Sequence, residues 1–293
     1  CRDPAPRQYS GPSPRPGGHF MPGTLYIVGT PIGNLEDLTQ RAARVLGEAA
    51  LVVAEDTRQT RKLLSHLGLH KRLLSYNEHS PAQRTRDILK AVLAEDVALV
   101  SDAGVPLVSD PGAALVRAAA EQGTRVVPVP GPSALTAALS AAGMPADAFH
   151  FLGFPPRARK AKRSLFERYE RDPLTLVLFE APHRLEETLE DLRTVLGDRE
   201  TAVCRELTKL YEEVFRGTLM EALAYFTEPR GEFVLVLAGA TPHPAQTETD
   251  IGAVRESIAK LKASGTTRRD AVEQVTQAYG VSRREASRLY LEA

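Results

Sequence analysis

Three short stretches of this sequence place glycine and proline beside a small polar residue directly after an apolar run. They are Gly29-Thr30-Pro31-Ile32-Gly33-Asn34, Ser101-Asp102-Ala103-Gly104-Val105-Pro106 and Val129-Pro130-Gly131-Pro132-Ser133-Ala134. Glycine lets a backbone approach a ligand closely, and proline fixes the shape of a loop beforehand. Asp102 adds a carboxylate that can hold ribose hydroxyls or an amino group. One such loop is as readily a plain turn. Three of them at successive strand ends point to a ligand cradle, because open α/β sheets bind ligands outside the carboxyl ends of their strands. The spacing of Gly29 and Gly33 is not that of the G-x-G-x-x-G nicotinamide fingerprint. No His, Cys, Asp or Glu cluster has metal-ligand spacing, so no metal is expected.

Groups able to move a proton stand in other loops, after an expected strand or before an expected helix. They are Glu55 in Glu55-Asp56-Thr57-Arg58, Glu78 in Asn77-Glu78-His79, His183 and Arg184 after Phe179-Glu180, and Glu206 with Lys209 after Arg205. Each has a plainer use: Asp56 or Thr57 can cap the next helix, and the others can form first-turn contacts or ion pairs. A single-signed run follows Phe154-Pro155-Pro156. It comprises Arg157, Arg159, Lys160, Lys162 and Arg163, and suits a phosphate backbone unless it is only a solvated helix face. Near the end of the chain, Thr267-Arg268-Arg269-Asp270 leads an apolar-periodic helix, and Gly280 marks a turn. Ser282 with Glu285 forms a capping box for a helix carrying Arg283, Arg284 and Arg288. That is the sequence shape of a helix-turn-helix, fit for nucleic-acid contact or for packing on its own domain.

The elements that position these groups read as α/β. Apolar runs at 24–29, 50–54, 97–101 and 125–129 alternate with amphipathic segments at 38–47, 57–67, 81–94 and 112–122, the pattern of a mostly parallel sheet. After Gly143 come strands near 148–152, 174–179, 201–206, 211–217 and 232–238, with 201–206 and 211–217 close enough to pair as a hairpin in a mixed sheet. The expected organisation is a disordered tail at 1–20, α/β domains at 21–143 and 144–239, a polar linker at 240–250 and a helical module at 251–293. With 37 basic and 37 acidic residues, the chain has no global basic field, so any nucleic-acid contact must be local. Two cysteines, Cys1 and Cys204, argue against a disulfide framework and for a reducing, cytoplasmic compartment. No apolar stretch approaches the roughly 18–20 residues that cross a bilayer.

Eight ordered blocks carry a resemblance. They are GTLYIVGTPIGNLEDLT, VAEDTRQTRKLL, SYNEH, LVSDAGVPLVSDPG, VPGPSALTAALSAAG, FEAPHRL, RELTKLYEE and GEFVLVLAG, between about residues 23 and 239. In that order they resemble the bacterial family of 16S ribosomal RNA 2′-O-methyltransferases, a branch of the tetrapyrrole-methylase superfamily. The resemblance implies two α/β domains with S-adenosylmethionine in the cleft between them, a homodimer, and methylation of a cytidine, number 1402, of 16S ribosomal RNA in the small subunit. Carried over position by position, it implies cofactor contacts from Gly29, Thr30, Pro31, Ile32, Asp102, Gly104, Val105, Pro106, Ser133 and Ala134. Ala181, Pro182, Gly231 and Glu232 would add to them. It leaves the catalytic base open. Two rival readings are C-methylation of a tetrapyrrole precursor and a nucleic-acid-binding regulator with a vestigial cofactor domain.

Overall fold

A computed structural model describes residues 23–240, 251–279, 281 and 283–292, the side chains of Gln277 and 283–285 excepted. The expected tail and nearly all of the expected linker lie outside these residues. The chain divides into two compact units, Cys1–Ala137 with Glu206–Glu212, and Ala138–Arg205 with Glu213–Ala293.

In the first unit, β1 (Thr24–Val28), β2 (Leu51–Ala54), β3 (Arg72–Ser75), β4 (Val97–Val100) and β5 (Arg125–Val129) form a parallel sheet in the order β3-β2-β4-β1-β5. Side chains alternate between its faces. Leu25, Ile27, Val53 and Leu99 pack with Ile88 and Val92 of α3 (Ala82–Ala94) and Leu115 of α4 (Ala113–Glu121). Val28, Val52, Ala98 and Val100 pack with Val45 and Leu46 of α1 (Gln40–Glu48) and Leu63 and Leu64 of α2 (Thr57–His66). The sheet is therefore doubly wound. Helix α1, after β1, and helix α4, after β4, lie on opposite faces although these two strands are neighbours. Their carboxyl ends are the topological switch point, where such sheets open a crevice. Strand β3 has no counterpart among the expected strands. It is a short edge strand with only two apolar residues and an exposed Arg72.

In the second unit, β6 (Phe149–Phe151), β7 (Thr175–Glu180), β8 (Glu200–Arg205), β9 (Glu213–Thr218) and β10 (Phe233–Leu237) form a mixed sheet in the order β6-β7-β10-β8-β9. Only β6 and β7 are parallel, and β8 and β9 pair antiparallel, as their spacing predicts. Three helices cover one face: α6 (Arg159–Glu167) with Phe166, α7 (Leu185–Leu196) with Leu185, Leu189 and Leu192, and α8 (Leu219–Tyr225) with Leu219. The boundary expected after Gly143 falls instead between Ala137 and Ala138, within α5 (Ala134–Ala142). The last three helices, α9 (Ile251–Ala263), α10 (Arg268–Tyr279) and α11 (Arg283–Glu292), enclose a core of their own from Val254, Ile258, Val275, Val281, Ala286 and Leu289.

Candidate functional site

The three glycine–proline loops meet at the switch point of the first sheet. The Gly29 N–H donates to Val129 O at 3.0 Å, and a Cβ on Gly29 or Gly131 would stand 2.8 Å from backbone of the other. Only glycine permits this backbone-on-backbone contact. Thr30 and Gly104 exchange hydrogen bonds, Thr30 N–H to Gly104 O at 2.8 Å and Gly104 N–H to Thr30 O at 3.1 Å. The Thr30 hydroxyl reaches the carbonyls of Ser101 and Gly104, and the Ser101 hydroxyl that of Gly104. Thr30, Ile32, Gly104 and Pro106 are buried in this knot, while Pro31, Val105, Ser133 and Ala134 line its half-buried rim. The loops thus hold one another and form a preshaped backbone surface at the strand ends.

Carboxylates gather at the ends of β2 and β4. Asp102 Oδ1 accepts the Asp56 N–H at 2.9 Å, tying the β4 loop to the start of α2. Burial and the nearby Asp56 charge push the Asp102 carboxyl up, against the lowering effect of that hydrogen bond. Glu55 is also pushed up, first by burial and then by the charges of Asp102, Asp110, Glu78 and Asp56. Asp110 is raised chiefly by burial, with a Ser101 hydrogen bond opposing. Asp56 goes the other way, to about 2, because Arg58 donates to it from side chain and backbone. Asp56 is the N-cap of α2, the plainer of its two readings. Asp110 was not among the expected site residues. Its signal was the second Ser-Asp of the same loop, Ser109-Asp110.

The other expected residues fall into separate places. Glu78 lies exposed in a turn, and His183 exposed in the single 3-10 turn Pro182–Arg184 that follows Ala181. Arg184 is occupied structurally: it donates to Pro155 O at 2.7 Å and Pro156 O at 3.2 Å and pairs with Glu180. Gly231 adopts φ +91° before an exposed Glu232. Glu206 and Lys209 do not end a strand, since β8 stops at Arg205; they form an ion pair at 2.8 Å in the following loop.

The basic run is not the free patch expected for phosphates. Most of it is helix α6, and Lys162 points inward, 1% exposed. Lys162 meets Asp191 Oδ2 at 3.1 Å, Glu187 at 3.2 Å and the Thr188 hydroxyl at 3.2 Å, while Arg159 and Arg163 both donate to Asp191 Oδ1. Thr188 in turn donates to buried Glu180 at 2.6 Å. Three of the five cations therefore neutralise a carboxylate brought in by α7. Arg157 and Lys160 remain exposed. In the last helix Arg288 pairs with Glu292 at 3.7 Å, whereas Gly280, Ser282 and the side chains of Arg283, Arg284 and Glu285 lie outside the described residues.

The chain thus carries a doubly wound sheet with knotted loops at its switch point, followed by a mixed sheet. The family model of the tetrapyrrole (corrin/porphyrin) methylases matches residues 24–223, and the chain belongs to that family of methyltransferases. Among its relatives is the ribosomal RNA small subunit methyltransferase I of Halalkalibacterium halodurans, 42% identical over 92% of this chain and 94% of that one. The enzyme of the same name from Synechocystis sp. is 45% identical over 92% of this chain and 98% of its own. Of solved structures, uroporphyrin-III C-methyltransferase from Thermus thermophilus complexed with S-adenosylhomocysteine is similar. It has TM-score 0.53 and 25% identity over 74% of this chain and 97% of that one.

Proposed function

We propose that the chain transfers a methyl group from S-adenosylmethionine to the 2′-hydroxyl of a cytidine, number 1402, in 16S ribosomal RNA of the small subunit. The observation that carries the cofactor is the knot of Gly29, Thr30, Gly104 and Gly131 at the switch point. The RNA substrate rests on the relatives' names and identities. In this reading Gly29–Ile32, Asp102, Gly104–Pro106, Ser133 and Ala134 hold the cofactor through backbone groups and one carboxylate. Ala181, Pro182, Gly231 and Glu232 are added on the family resemblance alone. The chain works in the cytoplasm as a homodimer.

When bound, the cofactor supplies an electrophilic methyl group on a positively charged sulfur. What remains for the protein is alignment and removal of a proton from a poor nucleophile. Glu55 is the candidate base that suits the task. Its carboxyl is raised by burial and by neighbouring carboxylates, so it accepts a proton more readily than an ordinary glutamate. Glu55→Gln should lower kcat by about a hundredfold to ten-thousandfold, the usual range for a general base, with cofactor affinity measured by calorimetry unchanged. An undiminished kcat would pass the role to Glu78 or His183. Label from tritiated S-adenosylmethionine should enter 16S ribosomal RNA or small subunits. Label entering a uroporphyrinogen or precorrin instead would move the chain to tetrapyrrole C-methylation.

A further inference from the structure

The segment Glu206–Glu212 clusters with the first unit and carries two of the four non-glycine residues at positive φ among the described residues, Glu206 at +50° and Thr208 at +67°. A β-branched threonine rarely adopts that conformation, so something must hold it. The Lys209 N–H donates to Glu206 O at 2.9 Å, the Glu212 N–H to Lys209 O at 3.1 Å, and the Thr208 N–H to the Glu212 carboxylate. The Asn34 N–H donates to the Thr208 hydroxyl at 3.2 Å. Gly33 has no side chain where a Cβ would stand 2.4 Å from Lys209 Cγ, so Lys209 lies directly on the backbone that continues the Gly29–Ile32 loop. Leu207 is buried beneath. A loop fixed this firmly nonetheless presents Leu210, 88% exposed, and Tyr211, 70% exposed, to water. Strained backbone that displays apolar side chains is characteristic of contact sites.

We infer that Tyr211 is a stacking platform for a nucleobase of the RNA substrate, an inference that rests on the function proposed above. Protein sites that read RNA splay bases out of their stack and hold them on aromatic faces. A base held on such a face fixes the position of its own ribose and so of the 2′-hydroxyl. Tyr211 stands on a loop docked against the end of the proposed cofactor loop, so a base held there belongs to the reacting nucleotide or its neighbour. The other occupant for an exposed tyrosine and leucine is a second copy of this chain, and the test separates the two.

Tyr211→Ala should raise KM for unmethylated 16S ribosomal RNA by about tenfold to a hundredfold, the usual loss of one base stack. Tyr211→Phe should stay near wild type. Cofactor affinity by calorimetry and mass by light scattering should not change in either. The chain has no tryptophan, so Tyr211→Trp installs a single indole, excitable apart from the tyrosines, whose emission the same RNA should quench and the cofactor alone should not. Wild-type KM in Tyr211→Ala, equal losses in Tyr211→Ala and Tyr211→Phe, an unquenched Tyr211→Trp, or a fall in mass on substitution would each overturn the inference. If the wild-type chain labels no ribosomal RNA at all, the proposed function fails and this inference with it.

Discussion

Burial raises the carboxyls of Glu55, Asp102 and Asp110, and a neighbouring carboxylate adds to each: Asp102 at Glu55, Asp56 at Asp102 and Asp102 at Asp110. Asp102 is the only charged side chain in the Ser101–Pro106 loop. Asp102→Ala should weaken S-adenosylmethionine binding by about 1–3 kcal/mol, the cost of leaving polar partners unpaired; equal affinity in a folded variant would remove Asp102 from the site. Because Asp102 also receives the Asp56 N–H, circular dichroism should accompany the titration to show that α2 is intact. Glu55 gives a pH signature. A carboxyl whose folded pKa lies above its unfolded value stabilises the fold at low pH, and that contribution is lost as pH rises through the folded value. Glu55→Gln should therefore gain stability over wild type at pH 7 and show no gain at pH 4, read from urea midpoints. A gain of equal size at both pH values would contradict a Glu55 carboxyl raised by burial and by the carboxylates around it.

Helix α6 shows how an element changes the meaning of a residue run. Arg157 to Arg163 reads in sequence as a phosphate-binding stretch, because five like charges lie together. Helical spacing then places Lys162 on the same inward face as Phe166, and α7 delivers Asp191 to meet it. That partner is far off in sequence, so no local pattern announces it. Burial alone would raise the Asp191 carboxyl, but hydrogen bonds from Arg163, Arg159 and Lys162 outweigh it and hold the group below the ordinary carboxylate range. Asp191→Ala leaves buried Lys162 with only Glu187, on the exposed side, as counter-ion and should cost up to about 3–5 kcal/mol by urea denaturation. The stability Asp191 confers is present at neutral pH and lost as pH falls through its lowered folded value. Arg157 and Lys160, still exposed, keep the RNA proposal. Replacing both with alanine should flatten the dependence of log affinity on log salt by up to about two counterions, and an unaltered slope would show a merely solvated surface. Elements whose signal is local were legible beforehand: β1, β2, β4 and β5 as apolar runs, and β8 and β9 as adjacent runs. Strand β3 was not, because its position at the sheet edge asks for little apolar side chain. That the glycine–proline loops fall at strand ends was legible in the sequence. The Thr30–Gly104 bridge that joins two of them is a contact across the sheet and could not be read from either stretch alone.

At the scale of the whole molecule, the last three helices have a core separate from those of the two sheets. Helices α9–α11 enclose their own core, so truncation after Ala240 should leave both sheets folded and S-adenosylmethionine affinity unchanged. If the module docks RNA, KM for the ribosomal substrate should rise with little change in kcat. Wild-type kinetics in the truncated chain would assign the helices to another task. The proposed reaction places a methyl group on a ribose oxygen of small-subunit ribosomal RNA. Alkaline hydrolysis tests it directly, because an RNA chain is cut through its free 2′-hydroxyl and cannot be cut where that oxygen carries a methyl. After reaction with tritiated S-adenosylmethionine, 16S ribosomal RNA should release its label in an alkali-resistant dinucleotide that begins with cytidine. Label released in a mononucleotide would place the methyl on a base, and RNA left unlabelled while a tetrapyrrole precursor is labelled would contradict the substrate itself.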